Sequence, residues 1–223
     1  MANFRVQIEN LAGESSFSTT AEETDYTTML DNFLLQSARN VLDILDEKYI
    51  HQNSIVLETT SGVGFDVTGL ILSKVLRGSI GCVEVPLEME AKVQLNSKSI
   101  YEPTSSSPIY YIKGQTATGA KLFIKPTPTN LEPGAIFFLT IPSSVVNTAS
   151  SISNFPDQAE YAVVIGSAVR VLQYKLNKLL HEDEDVELAQ VVQQEMGSLN
   201  QMYMIELSQL NGGGLPVQQQ EGK

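Results

Sequence analysis

Apolar residues along this chain change period, and the changes mark its elements. Between residues 25 and 50, Met29, Leu30, Phe33, Leu34, Ala38, Val41, Leu42 and Leu45 recur every third or fourth position, as one face of a helix does. The spacing predicts a helix of about seven turns. Between about residues 54 and 142 the runs shorten to "SIVLETT", "GFDVTGLILSKVLRG", "GCVEVPLEMEAKVQL", "PIYYIKG", "AKLFIKPTP" and "AIFFLTIP", punctuated by Gly and Pro. These read as short strands of a small sheet or barrel, although "TGLILSKVLRG" and "PLEMEAKVQLN" each also suit a helical turn.

Helical spacing returns in "NFPDQAEYAVVIGSAVRVLQYKL", where Ala159, Ala162, Val163, Gly166, Val169, Leu172, Leu176 and Leu179 form a stripe that Ile165, Ala168 and Val171 widen. Asn154 is placed to cap this helix and Pro156 to sit in its first turn. A further helix starts in "HEDEDVELAQ", with Glu184, Asp185 and Glu187 at the positive end of its dipole, and stops at "NGGG". Its stripe runs through Leu188 or Ala189, Val192, Met196, Leu199, Tyr203, Leu207 and Leu210.

The organisation expected is an N-terminal arm (1–24) with one short strand near residues 4–8, a helical bundle (25–51 and 151–211), a β-rich insertion (52–150) and a flexible C-terminal tail (212–223). The fold class is therefore α+β, a three-helix bundle with a β-rich domain inserted between the first and second long helices.

Composition narrows what such a chain does. At 223 residues it is long enough for one domain or two small ones, and with 42% hydrophobic and 18% charged residues it folds and carries a weakly charged surface. The net charge of −12, with only 14 Lys and Arg, argues against a dedicated nucleic-acid binder. Residues 1–51 hold nine acids and three bases, 52–150 seven of each, and 151–223 ten acids and four bases. The ends are acidic and the middle neutral. The single cysteine, Cys82, excludes an intrachain disulfide and a Cys-based zinc site, consistent with folding in a reducing cytoplasm. "MANFRVQIENLAG" lacks the pattern of a signal peptide, and no run is long and apolar enough to span a membrane, so a soluble protein is expected.

Candidate chemistry is sparse. Cys82 with His51 as base is conceivable, but "IGCVEVP" alternates like a strand in which Cys acts as a small core residue. "SGVGFDVTG" lacks the lysine of a phosphate-binding loop and reads as a turn. The acidic run at Glu182, Asp183, Glu184 and Asp185 lacks the spacing and glycine of a calcium loop and reads as a charged helix start. Tyr101, Tyr110 and Tyr111, close to Pro103 and Pro108, suit either a sheet face or a sugar- or protein-binding patch. No catalytic residue, metal ligand or cofactor is expected. Gly166, flanked by Ala162, Ser167 and Ala168, predicts close helix packing, because a mid-helix glycine costs about 1 kcal/mol against alanine. Ala162, Gly166 and Ala168 are the expected contact points, within the chain or between subunits.

The order of "KVLRGSIGCVEVP", "PIYYIKG", "KLFIKPTP" and "SISNFPDQAEYAVVIGSAVRVLQYKL", followed by "EDEDVELAQ", resembles the head-to-tail connector proteins of tailed bacteriophages. More narrowly, it resembles the adaptor or collar rings of short-tailed and crAss-like phages, over roughly residues 70–200. The resemblance implies a non-enzymatic virion protein, assembled in the host cytoplasm as a homo-oligomeric ring, commonly of twelve copies. Such a ring joins the portal to the next tail component at the head–tail junction. It passes double-stranded DNA without sequence-specific binding, which a negative lumen would suit. Phe4, Val6, Ile8 and Phe17 in the arm and Leu215, Pro216 and Val217 in the tail are the candidate interprotomer contacts. The alternative is a soluble ligand- or carbohydrate-binding module with its site near Tyr110 and Tyr111.

Overall fold

The computed structural model describes residues 2–13, 20–60, 64–89, 102–115, 119–183 and 186–212. The fold is α+β. Helices α1 (Phe4–Ala12), α2 (Thr20–Ile44) and α3 (Glu47–Gln52) come first. Among the described residues eight strands follow: β1 (Ile55–Thr59), β2 (Phe65–Asp66), β3 (Leu70–Arg77), β4 (Ile80–Gly81), β5 (Val83–Glu84), β6 (Ile109–Gln115), β7 (Gly119–Lys125) and β8 (Gly134–Thr140). Helices α4 (Asp157–Lys178) and α5 (Val186–Leu210) close the described chain. The chain divides into a helical unit, Met1–Tyr49 with Pro142–Lys223, and a contiguous sheet unit, Ile50–Ile141.

In the helical unit α4 is the common partner of α1, α2 and α5. Ala162, Val163, Val164, Ile165, Ala168, Val171 and Leu172 are all at most 1% exposed, so the middle of α4 is buried on every side rather than along one stripe. A Cβ on Gly166 would lie 3.0 Å from the Tyr203 ring of α5 and 3.3 Å from Ser37 Oγ of α2. The close approach that glycine permits is therefore made within this chain, to two helices at once.

The N-terminal arm differs from the sequence expectation. Residues 4–8 form a helix, not a strand. The alternation of Phe4, Val6 and Ile8 imitates a strand, but Phe4, Ile8 and Ala12 share one helix face and are all buried. Asn3 starts the helix by accepting from Val6 N at 2.9 Å. Phe4 N and Arg5 N donate to Ala149 O and Asn147 O at 2.8 and 2.9 Å, which satisfies two of the helix's free donors. At the other end Lys175 Nζ donates to Ala12 O at 2.8 Å and Gly13 O at 2.7 Å, the favourable place for a cation on a helix. Helix α2 starts at Thr20, inside the span read as arm.

Two boundaries also move. Asn154 is not the cap of α4: it adopts a left-handed backbone (φ 56°) in the turn before the helix, and Pro156 occupies the cap position. Glu160 Oε1, in the first turn, accepts from Ile152 N at 2.6 Å and ties that turn down. The segment 142–150 belongs to the helical unit rather than to the insertion, held there by its bonds to α1 and α2. A π-helical turn, Leu179–Asp183, joins α4 to α5.

Among the described residues the sheet unit holds two four-stranded sheets, ordered β1-β8-β3-β4 and β2-β7-β6-β5. All pairs are antiparallel except β5 with β6. Val75, Ile136 and Phe138 from the first sheet meet Leu122 and Ile124 from the second, with Val67, in one buried core. "LILSKVLR" is a strand and not a helical turn, interrupted by a bulge at Ser73, where the pairing with β8 shifts. Leu87–Met89 makes a single 3-10 turn, and the rest of "EAKVQLN" lies outside the described residues.

Candidate functional site

His51 and Cys82, the pair the sequence offers for nucleophilic chemistry, are both engaged in structure. His51, in α3, places Nδ1 3.1 Å from the hydroxyl of Ser73 at the β3 bulge, with its ring 6.0 Å from that of Phe137. Among the described residues no carboxylate hydrogen-bonds His51, the partner that would orient it as a base for Ser73. Cys82 packs against the sheet core, and burial pushes its thiol from 9.0 up to about 11. It stays protonated at neutral pH, the unreactive form. The nearby Arg77 guanidinium pulls the other way, but less strongly.

Of the glycine-rich stretch, residues 61–63 lie outside the described residues, and its end, 67–70, forms a turn closed by Leu70 N donating to Val67 O. A Cβ on Gly64 would strike the Phe123 ring at 2.5 Å. Thr68 N donates to Asp66 Oδ1 at 2.9 Å, holding that carboxyl below its ordinary range, and Gly69 takes φ 70°. Of the acidic run, Glu184 and Asp185 lie outside the described residues. Among the described residues no group of three His, Cys, Asp or Glu is placed to hold a metal ion. Tyr111 is buried and stacked on Phe123, with ring centroids 5.4 Å apart. Tyr110 OH donates to Glu84 at 3.0 Å, and burial first, then that bond, pushes its pKa up to about 12. Tyr101 lies outside the described residues. The tyrosines Tyr110 and Tyr111 thus brace the second sheet rather than forming an open aromatic platform.

Two polar knots went unread in the sequence. Arg77 is 5% exposed; it donates to Pro126 O at 3.0 Å and Ser105 Oγ at 3.1 Å, reaches Thr127 O at 3.5 Å and pairs with Glu132. One guanidinium thereby fastens β3 to two loops. Asn147 is 3% exposed; its N and Nδ2 both donate to Asp31 Oδ1 at 2.7 Å, and Nδ2 also donates to Thr27 O at 3.2 Å. With its carbonyl on Arg5 N, Asn147 links α1, α2 and the 142–156 segment.

Several apolar side chains stay exposed. Of the arm contacts, Phe4 and Ile8 bury themselves within the helical unit, Val6 is 42% exposed, and Phe17 lies outside the described residues, as do Leu215, Pro216 and Val217. Ala162, Gly166 and Ala168 are inside α4's packing. The sheet unit exposes Ile55, Val56 and Leu57 of β1, at 37–45%, on a strand that pairs, among the described residues, with β8. The helical unit exposes Val191, Met202 and Ile205 on α5. No helix of the described residues is long and apolar enough to cross a membrane. Compared with known protein families and with curated proteins, the sequence matches no family model and no curated relative.

Proposed function

We propose that the chain is a virion structural protein of a phage head–tail junction, assembling as a homo-oligomeric ring that connects the portal to tail components around the DNA channel. The number of copies the resemblance implies is twelve, and assembly takes place in the host cytoplasm. The observation that supports a self-assembling role is β1. Natural proteins blunt a sheet edge with charges, Pro or a bulge; along "IVLET" the one charge is Glu58, and the three residues before it present exposed aliphatic side chains. Such an edge suits a neighbouring subunit in a head-to-tail ring, where each copy offers one surface and receives another. The acidic balance of the chain suits a channel along which DNA slides without adhering.

The test is native mass by light scattering over a concentration series, with and without a portal protein. A discrete ring, alone or on the portal, is the expected result. A monomer at every concentration that ignores the portal would overturn the reading and favour a ligand-binding module.

A further inference from the structure

Helix α5 is apolar on more than the side it packs. Its buried line is Ala189, Val192, Leu199, Leu207 and Leu210. A second line, Leu188, Val191, Met202 and Ile205, follows the three-and-four spacing of a helix seam and is 38–51% exposed. Glu195 and Ser198, both exposed, fill the two middle positions of that line. From Leu188 to Ile205 the seam is about 26 Å long, at 1.5 Å per residue. It is therefore long enough for about five turns of a partner helix.

The charge along α5 has one sign. Residues 186–210 contain Glu187, Glu195 and Glu206 and neither Lys nor Arg. The α4 base that senses Glu195 is Lys175, and its Nζ is committed to the carbonyls of Ala12 and Gly13. A second copy of the same face makes a poor occupant. An antiparallel alignment that sets Leu188 on Ile205 and Val191 on Met202 also sets Glu187 against Glu206, and a parallel one opposes Glu195 to itself.

We infer that this face docks a basic amphipathic helix of another protein, its apolar line lying on Leu188, Val191, Met202 and Ile205 and a Lys or Arg standing opposite Glu195. The inference holds whether or not the chain forms rings. The probe is a labelled Leu/Lys peptide of about 18 residues, matched to the seam at 1.5 Å per residue, with leucines at seam positions and one central lysine. A peptide of the same composition with its leucines spread around the helix is the control, and binding to the full chain is read by fluorescence anisotropy.

The seam peptide should bind with a Kd of roughly 10 µM or tighter. The triple variant Val191→Ser, Met202→Ser, Ile205→Ser should weaken it by about tenfold or more. The three side chains are only 38–51% exposed, so the variant should melt below the parent, and an unchanged far-ultraviolet circular dichroism spectrum at the assay temperature shows that it is still folded there. Glu195→Gln should weaken binding by about threefold at low salt and less at physiological salt. Absence of binding, equal binding of the scrambled peptide, or full affinity in the triple variant would overturn the proposal. So would self-association of the parent that the triple variant abolishes, which would give the face to a second copy.

Discussion

At the scale of single residues, the two polar knots are where substitution should cost most. Replacing Arg77 by Met keeps the aliphatic stem but takes the donor from half-buried Pro126 O, whereas Ser105, which is exposed, turns its hydroxyl to water. The side chain of Glu132 is 43% exposed, so its carboxylate turns to water and limits the damage. The expected loss is about 2–3 kcal/mol, read as a lowered urea midpoint for the sheet unit. Asn147→Ala should cost about 2 kcal/mol. It should also speed amide exchange at Phe4 and Arg5, whose donors the 147–149 carbonyls hold. Cys82 gives a pH prediction. Its thiol pKa is raised in the fold, so between pH 9 and about 11 the folded chain holds a proton that the unfolded chain releases. The stability this contributes is present below pH 9 and is lost as pH rises through about 11. Alkylation of the folded protein, followed by mass, should therefore accelerate with a midpoint near pH 11 rather than 9.

At the scale of elements, the α4 contacts and β1 can be tested directly. Gly166→Val forces branched carbon into a gap already 3.0 Å from the Tyr203 ring, and it should destabilise by about 2 kcal/mol or more in a thermal melt. Val56→Lys places a charge on the exposed edge of β1, and it should leave the melting temperature of the isolated chain unchanged while preventing ring assembly seen by light scattering. The long helices and most strands were legible because their periodicity is set by burial on one face, which is also what folds them. Helix α1 was not, because nine residues show two periods at once and the deciding facts, Lys175 at its C-terminus and Asn147 at its start, come from more than a hundred residues away. Arg77 left a trace: it shares strand parity with Val75, so the inward side of β3 ends on a charge. Asn147 left none, since an asparagine in "SSVVNTASS" looks like any loop residue until Asp31 faces it. For the sites, the glycine-rich turn and the small-residue run of α4 carried their meaning locally, whereas exposure on α5 depends on which of its two apolar lines finds α4.

At the scale of the whole molecule, charge and connectivity govern. Copies carrying −12 repel one another, so any ring should form more readily as salt rises, and the assembled fraction at fixed protein concentration should increase from low to physiological ionic strength. The connectivity has a consequence in time. The sheet unit is one continuous stretch of chain, while the helical unit is interrupted by it. Helix α2, whose buried residues include Leu30, Leu34 and Ala38, leaves the ribosome more than a hundred residues before α4, the helix it packs against. At about 5–20 residues per second, that apolar face waits on the order of ten seconds. During that interval the sheet unit can complete itself, and α2 depends on whatever the cell supplies to shield a nascent helix.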